Sequence, residues 1–417
     1  MGHLNLSPEM IRLSESVMAE IAPVFAGLDR ISQQNTEKVL SVFHKHRVSE
    51  GCLTGTTGYG YGDKGRDTLD LIYADAFGAE SALVRIGFVN GTHAITAALF
   101  SALKTGDILL SATGAPYDTL RGAIGIEGDY HGSLRDYGIE YTQTDLLPDG
   151  KPDYDEIARA ASDKRVAAVF VQRSRGYSAR AALTVSDIGR LCDIVHSANA
   201  RVAVIVDNCY GEFTETMEPT DVGADLIAGS LIKNPGGGIA PTGGYVAGKS
   251  ALVEAAAYRL TTPGIGGECG STLFNNRLLY QGFFLAPHTV TQALKTAVFC
   301  ARLLERMGYK TSPAWDDART DIIQMVEFGD PALLKRFCRG IQAGAPVDAY
   351  VSPEPWDMPG YECPVIMAAG TFIQGASIEL SADGPMRAPY RAYLQGGLTF
   401  ESGKLGIMTA ADMLTYK

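Results

Sequence analysis

From about residue 68 onward the chain alternates short apolar runs with helical patterns, and no other feature narrows its folding choices as far. The runs at 82–88, 108–111, 166–172, 202–207, 226–230 and 245–248 are nearly continuous in aliphatic residues. Strands covered on both faces read this way, whereas half-solvated strands alternate apolar with polar. Amphipathic stretches, such as 93–103 and 185–197, separate several of the runs. Together they predict an α/β fold: a mainly parallel sheet between layers of helices.

Flanking this region are two further units. Helical spacing at 7–25 and 34–47 predicts a helical arm, followed by a segment from Gly51 to Gly65 too rich in glycine for a regular element. A long helical pattern at 285–310 leads to a smaller C-terminal α/β unit. That unit has a helix near 331–343 and strands near 365–369, 377–380 and 393–399. We therefore divide the chain into 1–67, 68–290 and 291–417.

Composition removes several classes of function. With 46% apolar and 20% charged residues, the chain is ordinary for a globular protein. Its 36 Lys+Arg against 47 Asp+Glu give a net charge of −11, which repels phosphate backbones. Nucleic acid and anionic membranes are not expected partners. No apolar run is long enough to span a bilayer, and the start lacks a signal-peptide pattern. The seven cysteines are spread without a CxxC pair, so neither a disulfide scaffold nor a zinc ribbon fits, and a cytoplasmic location is expected. No HxxxH pair points to a metal site. A nucleotide-binding Rossmann enzyme is disfavoured because no GxGxxG follows the first strand.

The chemistry concentrates between residues 204 and 238. One apolar strand ends in Asp207-Asn208-Cys209-Tyr210-Gly211, and the next is followed by Lys233-Asn234-Pro235-Gly236-Gly237-Gly238. Strand ends are where α/β sheets bind ligands. A lysine amine forms Schiff bases with carbonyl cofactors, and an aspartate holds a pyridinium nitrogen protonated. Taken singly, the aspartate reads as a helix cap and the lysine as a surface residue; their occurrence together reverses that. Asn90-Gly91-Thr92-His93 follows a strand and opens a helix, an arrangement suited to phosphate.

With these stretches in place, the chain resembles the fold type I (aspartate aminotransferase-like) pyridoxal-phosphate enzymes. Within them it is similar to the methionine γ-lyase and cystathionine lyase group, in the branch described as aluminium-resistance proteins. The resemblance rests on TGYGYGDKGRDTL (57–69), NGTHAI (90–95), DNCYGEF (207–213) and SLIKNPGGGIAPTGGYVAG (230–248), supported by QRSRGYS (172–178) and YLQGGLTFE (393–401). It implies a mainly parallel seven-stranded sheet, a small C-terminal α/β domain and pyridoxal 5'-phosphate as cofactor.

The resemblance also implies residue roles. Lys233 would carry the cofactor and move the substrate α-proton, Asp207 would pair with the ring nitrogen, and Ser230 would bind phosphate with Asn90, Gly91 and Thr92. Asn90 stands where this branch has Ser. His93 would either cover the ring or be a satisfied histidine of the first helical turn. Tyr117 would stack on the ring and protonate a leaving group. Tyr59 and Tyr61 would reach a neighbouring subunit's site, so a homodimer or homotetramer with shared active sites is implied, with Tyr59 catalytic there. Tyr61 stands where the family has arginine, which leaves open which cation completes the phosphate site, with Arg66 a candidate. The arginine for the substrate carboxylate is also displaced, Tyr393 standing at its place, and Arg387 with Arg173, or Arg391, would serve instead. The loop 261–271 would be a mobile lip or a plain turn.

The implied activity is elimination of a β or γ substituent from an L-amino acid, with a thiol leaving from cystathionine- or methionine-like thioethers, or another γ group such as halide. A γ-replacement synthase, an aminotransferase and a non-catalytic metal-tolerance protein are the alternatives.

Overall fold

A computed structural model describes residues 6–128, 130–358 and 363–415. The chain opens with helix α1 (Pro8–Lys45) and α2 (Lys64–Ala76), then enters the alternating region: β1 (Ser81–Arg85), α3 (Gly91–Ala102), β2 (Ile108–Ser111), α4 (Asp118–Ile124), β3 (Glu140–Gln143), α5 (Tyr154–Ala161) and β4 (Val166–Gln172). It continues with α6 (Val185–Ala198), β5 (Ala203–Asp207), β6 (Leu226–Ser230), β7 (Gly244–Gly248), α7 (Ser250–Leu260) and α8 (Asn276–Arg306). The last part holds β8 (Lys310–Ser312), β9 (Ile323–Glu327), α9 (Pro331–Ala343), β10 (Val365–Ala368), β11 (Ser381–Pro385), β12 (Arg391–Gln395) and α10 (Phe400–Thr415).

The first sheet has seven strands in the order β1-β7-β6-β5-β4-β2-β3. Strands β6, β5, β4, β2 and β3 run parallel, and β7 alone is antiparallel to both its neighbours. It follows that β1, β4, β5 and β6 all end on one edge. Their interior is buried Val, Ile, Leu and Ala, as the apolar runs predict. The second sheet is antiparallel, β10-β11-β12-β9-β8, and α9 and α10 pack together beside it.

Three differences from the sequence reading have physical causes. The two N-terminal patterns are one continuous 38-residue helix, because Val17, Ile21, Leu28, Asn35 and Val39 keep one buried face in helical register across the junction and override Gly27. Buried Asn35 on that face donates from Nδ2 to the carbonyls of Phe213 (3.1 Å) and Glu215 (3.0 Å), tying α1 to the loop beyond Asp207. The strand placed at 377–380 lies instead at Ser381–Pro385. Residues 377–380 are a stapled turn whose Glu379 accepts from the backbone N–H groups of Phe372 and Ile373, both at 2.9 Å. Finally, β3 escapes sequence reading because its EYTQ is a mostly exposed polar edge strand.

Among the described residues no helix is long and apolar enough to cross a membrane.

Candidate active site

The common edge of β1, β4, β5 and β6 opens into a cavity of about 650 Å³, whose far side is formed by the second sheet. Asp207 is the last residue of β5 and pairs in register with Gln172 of β4 and Ala228 of β6. Ser230 is the last residue of β6, and Lys233 follows within one turn, its N–H donating to the Ser230 carbonyl at 3.3 Å. All four of Gln172, Asp207, Ser230 and Lys233 line the cavity.

The glycines after Lys233 have a steric reason. Gly237 has φ 57°, and a Cβ there would meet the Gly282 carbonyl of α8 at 2.3 Å. The lysine loop is thus pressed against α8, while Asn234 Nδ2 donates to the Glu212 carbonyl at 3.0 Å and joins it to the loop carrying Asp207.

Burial alone disfavours the Lys233 ammonium, but Cys209, Tyr210, Asp207 and Tyr117 around it more than offset this and push its pKa well up. Burial raises Asp207, opposed by the charge of Lys233 and by the Cys209 N–H donated to Oδ1 at 3.1 Å. Lys233 Nζ stands 4.0 Å over the Tyr210 ring, a cation–π contact. Tyr210 holds a left-handed backbone, φ 72°, that few bulky residues adopt. Nearby, burial lifts Glu212 to about 8, so at pH 7 it is mainly neutral and leaves the lysine to Asp207.

At the start of α3, Asn90 Oδ1 accepts the His93 N–H at 2.9 Å and caps the helix. The Gly91 and Thr92 amides, first in the helix, have no partner within it. A Cβ on Gly91 would come within 3.2 Å of Ser230 Cβ and 3.4 Å of Cys209 Sγ, so glycine keeps this end of the cavity open. Thr92 Oγ1 lies 3.1 Å from the Tyr117 hydroxyl. Burial and then Asp207 raise the Tyr117 phenol well above its ordinary value, so it stays protonated.

Asn90, Gly91, Thr92, Tyr117, Asp207, Ser230 and Lys233 are therefore brought together around one cavity, and the others are not. His93 turns back: its Nδ1 accepts the Val89 N–H at 3.3 Å, its ring meets Phe88 edge-on, and it lines no part of the cavity. This is the satisfied first-turn histidine.

Arg173 is a correction. It has no exposed surface, and its guanidinium binds Asn208 Oδ1 (2.7 Å), Glu215 Oε2 (2.8 Å), Thr214 Oγ1 (3.3 Å) and Glu218 Oε2 (3.4 Å). It props up the Asp207 loop from behind and cannot reach a substrate. Arg387 and Arg391 are corrected too. They line not the main cavity but an adjoining pocket of about 60 Å³ behind Tyr177 and Tyr393, which the two share, and Arg391 Nε is bound to Glu327 at 2.9 Å. Among the described residues lining the main cavity, none is an arginine.

Tyr59 and Tyr61 are exposed and line no part of this chain's cavity. Arg66 is also spent elsewhere, donating to the carbonyls of Gly60 (2.7 Å), Gly270 (3.0 Å) and Glu268 (3.3 Å). Loop 261–271 is not a lip over the cavity. Its Gly270 N–H donates to the Tyr59 carbonyl at 2.9 Å, holding it against the glycine-rich arm.

Tyr393, which stands at the place of the displaced arginine, lines the cavity, and residues the sequence did not single out complete it: Tyr210, and from the second sheet Asp383 and Gln395, with Tyr177 beside them. The DNCYGEF motif contains Tyr210, but nothing in its spacing shows where its ring points.

A cavity with an imine-competent lysine, a buried aspartate at a neighbouring strand end and a glycine-opened helix N-terminus fits a cofactor that carries an aldehyde, a ring nitrogen and a phosphate. Fold and site together define a fold type I pyridoxal-phosphate enzyme. The sequence profile described as Methionine gamma-lyase matches residues 10–415, and the chain belongs to that family, whose cofactor is pyridoxal 5'-phosphate. An uncharacterized protein of Bacillus subtilis, YnbB, is 54% identical over 96% of this chain and 95% of its own. A solved structure from Clostridium novyi, called a carbon-sulfur lyase involved in aluminum resistance, is 53% identical with TM-score 0.94, covering 98% of this chain and 96% of that one. The pyridoxal-5'-phosphate dependent protein YhfS of Escherichia coli shares the fold at 19% identity and TM-score 0.62, over 91% of this chain and 95% of its own.

Proposed function

We propose that the protein is a carbon-sulfur lyase that eliminates a thiol from the β or γ carbon of an L-amino acid thioether. The observation that carries this reading is the convergence of Lys233, Asp207 and the α3 N-terminus on one cavity. Bound there, pyridoxal phosphate supplies an aldehyde that captures the substrate amine and a ring that withdraws electrons from its α carbon. Asp207 keeps the ring nitrogen protonated. The amides of Gly91 and Thr92, with the Ser230 hydroxyl, hold the phosphate. Lys233 would hold the cofactor's aldehyde carbon, and its Nζ, facing the same cavity, would be the base for the α-proton. Tyr117, protonated and lining the same cavity, would pack on the ring and give its proton to the departing sulfur. Ammonia and a 2-oxo acid are the remaining products once water has entered.

The name of the Clostridium novyi structure supports the carbon-sulfur reading. Exposed Tyr59 and Tyr61, set in an arm held by buried Arg66, support a second reading of the assembly, in which they serve the site of another copy. The net charge of −11 and the absence of a spanning helix among the described residues accord with a small-molecule enzyme of the cytoplasm.

The test is to incubate the holoenzyme with a panel of thioether amino acids and follow thiol, ammonia and 2-oxo acid by mass. Equimolar release supports the lyase. A requirement for a keto-acid acceptor, or incorporation of an added nucleophile, would overturn it. Borohydride reduction should abolish the visible band and leave its label on Lys233.

A further inference from the structure

The wall supplied by the second sheet carries a group for which elimination chemistry has no use. Asp383, on β11, lines the cavity yet is only 8% exposed. Its Oδ2 accepts from the Tyr177 hydroxyl at 2.8 Å and from Gln395 Nε2 at 3.0 Å. Both donors are neutral and both converge on one oxygen, so Oδ1 takes no hydrogen bond from a described residue. A buried carboxylate without a cation is costly, and evolution usually removes it or pairs it. Among the described residues no cation pairs with Asp383: Ile323, Met325, Tyr393, Tyr177 and Tyr210 form one small apolar cluster on this side of the cavity, and Arg387 and Arg391 lie in the adjoining pocket behind Tyr177 and Tyr393.

We propose that Asp383, braced by Tyr177 and Gln395, is a subsite for a protonated nitrogen carried on the leaving thiol of the substrate. The proposal deepens the lyase reading and rests on it. Orientation follows from charge. A carboxylate at this wall repels the α-carboxylate of any amino acid, so that end must lie toward Lys233, and the tail is what comes to Asp383. The Tyr210 ring, under Lys233 and in the cluster beside Tyr177, floors the path between them. The same repulsion disfavours a tail ending in a second carboxylate. The substrate class is therefore a cysteine or homocysteine thioether whose sulfur substituent ends in an amine, not an alkyl group. Burial lifts Asp383 to about 6, opposed by its two donors, so near neutral pH it is ionised and can meet an ammonium.

Two matched compounds test this on the holoenzyme: S-(2-aminoethyl)-L-cysteine and S-propyl-L-cysteine, equal in length and differing in a terminal ammonium against a methyl. Dissociation constants come from the change each produces in the cofactor's visible band, and kcat/KM from thiol release. The wild-type protein should favour the aminoethyl compound by about tenfold or more, the range of a hydrogen bond to a charged group. In Asp383→Asn the preference should fall to within about twofold, with the cofactor band and thermal unfolding reporting that the variant is folded. Equal binding of the two compounds by the wild type, a preference for the propyl compound, or an unchanged ratio in the folded variant would each overturn the subsite and leave the lyase reading standing. If neither compound perturbs the band, the subsite falls, and the lyase reading is judged separately by the thioether panel above. The wild-type ratio decides the matter even if the variant does not fold.

Discussion

The two walls of the cavity are built on opposite principles. The wall from the seven-stranded sheet consists of strand ends and a helix start: Asp207, Ser230, Lys233, Gly91 and Thr92 follow directly from where β5, β6 and β1 stop. The wall from the antiparallel sheet consists of strand faces, with Asp383, Tyr393 and Gln395 projecting from the middle or end of β11 and β12. The first is charged and paired; the second holds a carboxylate among neutral donors and aromatic rings. Cofactor chemistry is thus fixed by topology, whereas the choice of substrate is left to side chains that can change without disturbing a strand end.

If that division is right, the largest effect belongs to the first wall. Lys233→Ala should lower thiol release by roughly a thousandfold or more, since imine exchange and proton transfer both lose their amine; residual activity within tenfold of wild type would break the comparison.

Next comes the support behind that wall. Arg173→Met strands Glu218 and Glu215 without their cation, and the stability measured by denaturant unfolding should drop by about 3–5 kcal/mol.

The second wall is sharpened by pH. Burial raises Asp383 from 3.8 to about 6, so the folded protein holds this proton more tightly than the unfolded chain. Its stabilising contribution is complete below pH 3.8 and is lost as pH rises through 6. Relative to Asp383→Asn, the wild type should therefore lose up to about 3 kcal/mol between pH 3.8 and pH 7. Parallel stability curves would show that Asp383 is not desolvated.

Gly91→Ala places a methyl against Ser230 and Cys209; cofactor affinity, read by equilibrium dialysis, should weaken about tenfold. The smallest effect is expected from Arg391→Ala. Its ion pair with Glu327 is about a quarter exposed on each side, so unfolding should shift by less than about 1 kcal/mol, with cofactor affinity unchanged.

This division also explains what was legible in the sequence. Strands β2, β4 and β6 and helix α9 stand where their apolar patterns place them, because each is buried along a single regular period. Asp207 and Lys233 could be found because a polar residue ending an apolar run is a local signal. Arg173 carries the same outward signal as a substrate-binding arginine. Its role is set by Glu215 and Glu218, more than forty residues away, and sequence alone does not say that all three meet. Asp383 sits in a short SADGP strand whose neighbours give no periodic hint, and its partners Tyr177 and Gln395 come from other elements.

Strand β7, the one that runs against its neighbours, has a consequence for how the molecule is born. Among the described residues β1 pairs only with β7, Ser81 opposite Gly248, so its hydrogen-bonding edge has no mate until more than half of the polypeptide has been synthesised. During that interval Ala82, Leu83 and Val84 form an unmatched sticky edge on the nascent chain, and closing so long a loop is slow. Ribosome-bound fragments ending before residue 244 should accordingly be the species that chaperones hold and that aggregate when released.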